Sequence, residues 1–275
     1  MSIKLVAIDL DGTLLNNDKC INKPVIDAIK ATRQAGIHVV LSTGRPLSGT
    51  KKQLDELGLN KKDDYIITYN GALVLNTKTW DTIFERGLTQ EKYLKIDQLA
   101  RSLNVHLHLA DRKEMYTSNR DISPYTILES YLVNMPLHYR TSEEIIAENV
   151  SPIKMMMIDE PEILSEAFEN IPKKYFDEYT IVRSTPTFIE ILNPNASKGI
   201  ALKELCKHLG INRSEVMAIG DAENDLSMIE FANIGIAMGN ACEMIKTAAD
   251  YTVATNLEDG VKEALDRWVL KTSEP

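Results

Sequence analysis

The chain of 275 residues is longer than one hydrophobic core usually supports, so two domains are expected. Its 44% hydrophobic and 26% charged residues are ordinary for a globular protein, and its net charge of −9 argues against nucleic acid as a partner, because phosphate backbones need a basic face. No apolar run approaches the ~20 residues of a membrane helix, no signal-peptide pattern opens the chain, and Cys20, Cys206 and Cys242 lack metal-ligand spacing; a cytoplasmic protein with reduced thiols and no membrane partner is expected.

The first predicted element is a strand. Leu5, Val6, Ala7 and Ile8 form an unbroken apolar run, as suits a strand buried on both faces of a parallel sheet, and the run stops at Asp9. Asp11 follows one residue later, and Gly12 and Thr13 turn the chain away. Two carboxylates about 4 Å apart repel by roughly 4 kcal/mol at an effective dielectric of about 20, so a cation is expected beside them. Magnesium, which prefers oxygen ligands and keeps some of its water, is the expected cation.

Asn22 ahead of Pro24 predicts a helix start, with Val25, Ile26 and Ile29 as its apolar stripe and Gly36 at its end. Ile37 to Leu41 reads as a second buried strand that delivers Ser42, Thr43, Gly44 and Arg45 to its carboxyl end. Pro46, Leu54, Leu57 and Gly58 outline a second helix, and Tyr65 to Tyr69 a third strand ending at the turn pair Asn70 and Gly71. This alternation predicts an α/β fold with a doubly wound, Rossmann-like sheet.

The rhythm changes between about Ile83 and Asn193. Val105, Leu107 and Leu109 alternate with His106 and His108, which read as polar-face residues; Met155 to Ile158 is an apolar strand with its methionines in a core; and Tyr179 to Ser184 with Thr187 to Leu192 reads as a hairpin. Helices are expected around Thr89 to Leu103, Pro124 to Val133 and Pro161 to Ile171. The mixture predicts an α+β domain, residues 84–193, inserted into a core made of 1–83 and 194–275. From Ser197 the βα rhythm returns, with a helix through Ile200 to Leu209, a strand Val216 to Ile219 ending at Gly220 and Asp221, a helix opening with Glu223, a strand Ile234 to Ala237, a helix after Asn240 and a last helix Leu257 to Leu270. Residues Lys271 to Pro275 are expected to fray.

In an open α/β sheet, ligands bind beyond the carboxyl ends of the strands. Four polar clusters fall there: Asp9 with Asp11, Thr43 with Gly44, Lys198 at a helix start, and Asp221 with Asn224 and Asp225. Helical spacing would put the last three on one face, and a hydroxyl and a free amide at Thr43 and Gly44 would cradle a phosphate. Lys198 alone would read as a solvated residue; its company makes it a site candidate.

DLDGTL at Asp9 to Leu14, STGR at Ser42 to Arg45, SKG at Ser197 to Gly199 and GDAEND at Gly220 to Asp225 resemble the four motifs of the haloacid dehalogenase superfamily. An insertion between the second and third motifs resembles the Cof-type subfamily with its large cap, and YNGALV, NRDIS, MMMIDEP and IEIL, beginning at residues 69, 119, 155 and 189, are similar to YidA-type sugar phosphatases. The resemblance implies a phosphatase of small phosphorylated metabolites, sugar phosphates above all. It makes Asp9 the nucleophile of an aspartyl-phosphate route and Asp11 the acid and then base, with a pKa that neighbouring carboxylates would raise. Magnesium would be held by Asp9, Asp221 and the carbonyl of Asp11, with Asp225 acting through water. Phosphate oxygens would meet Lys198, Thr43, Gly44, Asn224 and the backbone of Leu10. Arg45, Asn70 and Gly71 are candidate substrate contacts. A phosphomutase of the same superfamily and a phospho-acceptor signalling domain remain alternatives, and a monomer or homodimer fits either way.

Overall fold

The computed structural model describes residues 2–272; the end expected to fray lies, for 273–275, outside the described residues. The chain opens with β1 (Leu5–Asp9), α1 (Lys23–Gln34), β2 (His38–Ser42), α2 (Lys51–Leu57), β3 (Tyr65–Thr68), β4 (Leu73–Asn76) and β5 (Thr82–Glu85). Then come α3 (Gln90–Ser102), β6 (His106–Ala110), β7 (Met115–Thr117), α4 (Pro124–Val133), β8 (Leu137–Tyr139), α5 (Ser142–Ala147), β9 (Lys154–Ile158), α6 (Pro161–Glu169), α7 (Lys173–Glu178), β10 (Thr180–Thr185) and β11 (Phe188–Leu192). The last stretch holds α8 (Lys198–Leu209), β12 (Val216–Gly220), α9 (Leu226–Phe231), β13 (Ile234–Ala237), α10 (Glu243–Ala248), β14 (Tyr251–Thr252) and α11 (Gly260–Leu265).

Two compact units result. One comprises residues 1–44, 50–85 and 197–275, the other Arg45–Gly49 and Arg86–Ala196. The first unit's sheet runs β14-β13-β12-β1-β2-β3-β4-β5, parallel from β14 to β3 and antiparallel at β4 and β5. Its strand order reverses at β1, flanked by β12 on one side and β2 on the other, and a crevice opens at such a point. Because β1 and β12 are buried along their whole length, their only outlets for polar side chains are their carboxyl ends.

Local chemistry explains the helix starts. Pro24 sits in the first turn of α1, and Val25, Ile26, Ala28 and Ile29 fill its buried side. Asn22 occupies the cap position, but its side chain does not cap: it donates to Asp259 Oδ1 at 2.8 Å and accepts from Asn16. The pair β4 and β5, unmarked in the sequence reading, extends the sheet by an antiparallel hairpin from Gly71 onward.

The second unit's sheet runs β10-β11-β9-β6-β7-β8, antiparallel except for β7 beside β8. One face forms an apolar core in which Leu107, Leu109, Met155, Met157, Ile189 and Ile191 meet Tyr93, Ile96 and Leu99 of α3 and Leu164 of α6. His106 and His108 do point to the opposite face from Leu107 and Leu109, but His108 is only 2% exposed, with Thr126 of α4 at 3.3 Å. A face that reads as polar is here buried beneath a helix. The five residues Arg45–Gly49, expected in the core domain, cluster with this unit because Ser48 Oγ donates to the carbonyl of Val133 at 2.6 Å and Gly49 packs on its backbone.

Candidate active site

Asp9 ends β1, Thr43 follows β2, and Asp221 follows β12, so three neighbouring strands deliver polar side chains to one edge of the first sheet. Lys198 joins them as the first residue of α8, whose N-cap Ser197 accepts from Ile200 N. Its ammonium is fully buried and lies 2.5 Å from Asp9 Oδ1 and 2.6 Å from Asp225 Oδ1. Asp225 is fully buried too, and its other oxygen accepts from the backbone N–H groups of Asp221 and Ala222 at 2.9 and 3.0 Å. The shared helical face expected for Asp221, Asn224 and Asp225 is therefore not how they meet. Asp221 precedes a short 3₁₀ turn, Glu223–Asp225, and Asp225 folds back to hold the backbone of that turn.

Asp221 is aimed by a residue the sequence reading passed over. Thr13 Oγ1 donates to Asp221 Oδ1 at 2.7 Å. Gly12, at φ +88°, lets the carboxylate come so close that a Cβ there would sit 2.3 Å from Asp221 Oδ2. On the other flank Tyr69 and Asn70 both take left-handed backbone, and Asn70 Oδ1 accepts from Asn224 Nδ2 at 2.9 Å beside Gly44. Gly71, at φ +91°, lies against the carbonyl of Ser197, where any side chain would collide, so the turn is locked to the start of α8. Thr43 is buried, its N–H donating to Ile67 O and its carbonyl accepting from Asn70 N. Leu10 is fully buried just past Asp9. Arg45 alone among the expected site residues falls in the second unit, with Nη1 3.4 Å from Gly49 O.

Asp11 stands apart from the buried acids. Its side chain is 39% exposed and paired with Lys19 Nζ at 3.1 Å, while among the buried acids Asp9 and Asp221 are raised. Burial is the first cause for both, and the charge of Asp225 adds to it; Lys198 pulls Asp9 back down, as the Thr13 hydrogen bond does Asp221. Burial would lower the Lys198 ammonium, but Asp225 and Asp9 more than offset it and hold it protonated.

One ligand oxygen from each of Asp9, Asp221 and Asp225 lies within 4.8 Å of the others. Three carboxylates against one ammonium leave two uncompensated negative charges in a largely buried place, a costly arrangement that a divalent cation would neutralise. The donors are all oxygen, which fits magnesium's preference.

Residues 6–265 match the family model of the haloacid dehalogenase-like hydrolases. The chain belongs to that family. Its relatives include a Streptococcus pyogenes serotype M6 protein named "Putative phosphatase M6_Spy0533", 46% identical over 98% of this chain and 100% of that one. Another is the 5-amino-6-(5-phospho-D-ribitylamino)uracil phosphatase YcsE of Bacillus subtilis, 33% identical over 98% of this chain and 97% of that one. Among solved structures, the HAD subclass IIB sugar phosphatase BT4131 is similar with a TM-score of 0.78 and 26% identity, covering 96% of this chain and 98% of that one. This hydrolase is accordingly a phosphoric monoester hydrolase with an α/β core.

Proposed function

We propose that the hydrolase is a magnesium-dependent phosphatase of small phosphorylated metabolites, sugar phosphates first among them, that works through an aspartyl-phosphate on Asp9. One observation carries the reading: acids from opposite ends of the chain, Asp9 and Asp221, gather with Asp225 around one buried lysine. Asp9, Asp221 and the backbone carbonyl of Asp11 would hold the ion, and Asp225, whose oxygens already serve Lys198 and two backbone N–H groups, would act through water. When bound, the ion supplies charge that draws a phosphate dianion into an otherwise repulsive site.

The residues then have distinct roles. Lys198 holds Asp9 Oδ1, which leaves Oδ2 as the oxygen that attacks phosphorus. As the new P–O bond forms, the bond to the leaving alkoxide breaks, and the Asp11 carboxyl gives that alkoxide its proton. Asp11 sits on the exposed rim, where a leaving group can depart. It next takes a proton from the water that attacks the phosphoryl group, which frees Asp9 and inorganic phosphate. Thr43, Gly44, Lys198, Asn224 and the Leu10 backbone would hold the remaining phosphate oxygens, and Asn70 accepts from Asn224 and so keeps it in place.

The substrate class is supported by the names of two relatives, one acting on a ribityl phosphate and one on sugar phosphates. A cytoplasmic setting suits the three free thiols; among the described residues no helix is long and apolar enough to cross a membrane. The test is turnover of a phosphorylated-metabolite panel with the ion removed by chelator and restored by Mg²⁺. Activity is expected to vanish and return; undiminished turnover in chelator overturns the metal assignment, and failure to trap a phosphorylated Asp9 under single turnover overturns the covalent route.

A further inference from the structure

Helix α4 lies on its sheet the wrong way round. A helix that covers a sheet ordinarily turns its apolar side inward, against an apolar face. Here the covered face is polar: in the register of the sheet, His108 lies beside Met156 and Met156 beside Glu190, so the three share a side with Lys154, two residues before Met156. Lys154 Nζ reaches Glu190 Oε2 at 3.3 Å on that side. The helix answers with polar groups of its own. Thr126, the one buried residue of α4, meets His108, and Glu129 follows three residues on along the same side. Burial raises the Glu129 carboxyl, the charge of Lys154 draws it down and that of Glu190 lifts it again, as befits a side chain turned toward the sheet.

The apolar side is therefore left outside. Ile127, Leu128, Tyr131 and Leu132 are between 46% and 81% exposed, and their spacing makes one continuous stripe on the side away from Thr126. Large apolar residues scattered singly over a surface need no explanation, but a contiguous stripe marks a surface that something covers.

Charge, symmetry and area together choose the occupant. The net charge of −9 sets copies of this chain against each other over much of their surface, yet from Ile122 to Tyr139 the sequence holds no formal charge except Glu129, which faces the sheet. The helix has no lysine or arginine beside the stripe, as a helix seated on an anionic membrane would. Turned end for end, the stripe keeps its pattern, since residues 127 and 132, and 128 and 131, stand at equal distances from its middle. An antiparallel copy would set Leu128 against Tyr131 and Ile127 against Leu132, each contact made twice, which is the self-complementarity of a two-fold interface. With full areas of roughly 200 Å² for Ile or Leu and roughly 250 Å² for Tyr, the four side chains expose roughly 500 Å² per copy, so two copies would cover roughly 1,000 Å², the level a specific contact must clear before its polar rim is counted.

We propose that the outer stripe of α4 is where a second copy of this chain docks, the two helices antiparallel about a two-fold axis. The proposal concerns association alone and does not depend on the phosphatase reading.

The test is sedimentation of the full chain over a wide range of concentration, with Leu128→Glu, Tyr131→Lys and Tyr131→Ser beside the parent. The parent is expected to sediment at twice the chain's mass, and each charged variant to weaken its self-association by at least about 100-fold while melting as the parent does. Mixing Leu128→Glu with Tyr131→Lys is expected to restore the dimer, because the antiparallel pairing brings the new charges together. Tyr131→Ser, at the most exposed of the four positions, decides the question if a charged variant fails to fold. A parent that stays monomeric throughout overturns the proposal, whether or not it binds lipid vesicles or another protein through the stripe. A parent whose dimer survives Leu128→Glu and Tyr131→Ser also overturns it, since its interface then lies elsewhere.

Discussion

Each unit of this hydrolase buries a lysine between carboxylates, yet the two lysines come to their partners in different ways. Lys198 leaves the start of a helix and meets Asp9 and Asp225, 189 and 27 residues away in sequence, beyond the ends of parallel strands. Lys154 stands within a strand and meets Glu190 of the neighbouring antiparallel strand β11, 36 residues apart. Parallel strands buried on both faces can shed polarity only at their tips, so a site there interrupts apolar runs. Antiparallel strands carry polarity along one whole face, and whether that face is wet or covered depends on what crosses it.

The comparison can be broken most sharply at Asp9. Asp9→Asn is expected to lower kcat by at least about 10⁴-fold while the protein melts as a folded domain, because the proposed nucleophile is lost and little volume changes. Residual turnover near the parent level would remove Asp9 from the chemistry and make the first cluster as structural as any ion pair.

Removing each lysine weighs the two clusters against each other. Lys198→Met strips two buried acids of their only ammonium partner among the described contacts, and about 3–5 kcal/mol of stability is expected to go in metal-free protein, read by urea unfolding. Lys154→Met removes the ammonium from Glu190, whose side chain at 14% exposure keeps more contact with water than Asp9 or Asp225, and is expected to cost less, about 1–2 kcal/mol. Equal losses would mean that the two burials are equivalent.

A pH titration separates the histidine from the lysines. His108 has its imidazole lowered from an ordinary 6.5 to about 3, so between those values the unfolded chain takes up a proton that the native chain refuses. Stability from this group is full above about pH 6.5 and falls as pH drops toward 3, by at most about 1.4 kcal/mol per pH unit. His108→Gln is expected to flatten that part of the curve; an unchanged slope would show that His108 becomes charged without cost. The smallest effect is expected at Gly12→Ala, which meets Asp221 Oδ2 at 2.3 Å from left-handed backbone, with about 1–2 kcal/mol lost in melting experiments.

The same contrast accounts for what was legible beforehand. Asp9, Thr43 and Asp221 could be assembled without coordinates because each ends or follows an apolar run and the βα alternation fixes which ends are neighbours, whereas Lys198, after a polar stretch, joined them only through its company. Thr13, which aims Asp221, was not, since a threonine after Gly12 looks like any turn residue until the distant loop arrives. The strands β4 and β5 were missed because four-residue strands at a sheet edge carry too little period to register. His108 was assigned its face by alternation, but its burial depended on Thr126, which no pattern near His108 announces. Asp225 was grouped with Asp221 for a helical reason, whereas the connection is its bond to the backbone of the turn.

The five-residue stretch Arg45–Gly49, grouped by its contacts with the second unit, has a bearing on engineering. The polypeptide passes between the units at four places, after Gly44, Gly49, Glu85 and Ala196, so the insertion is not a cassette bounded by two cuts. A chimera that grafts a relative's 86–196 onto this core would keep a native anchor, Ser48, facing a foreign helix end, and exchanging 45–49 along with the graft is the design that preserves the join.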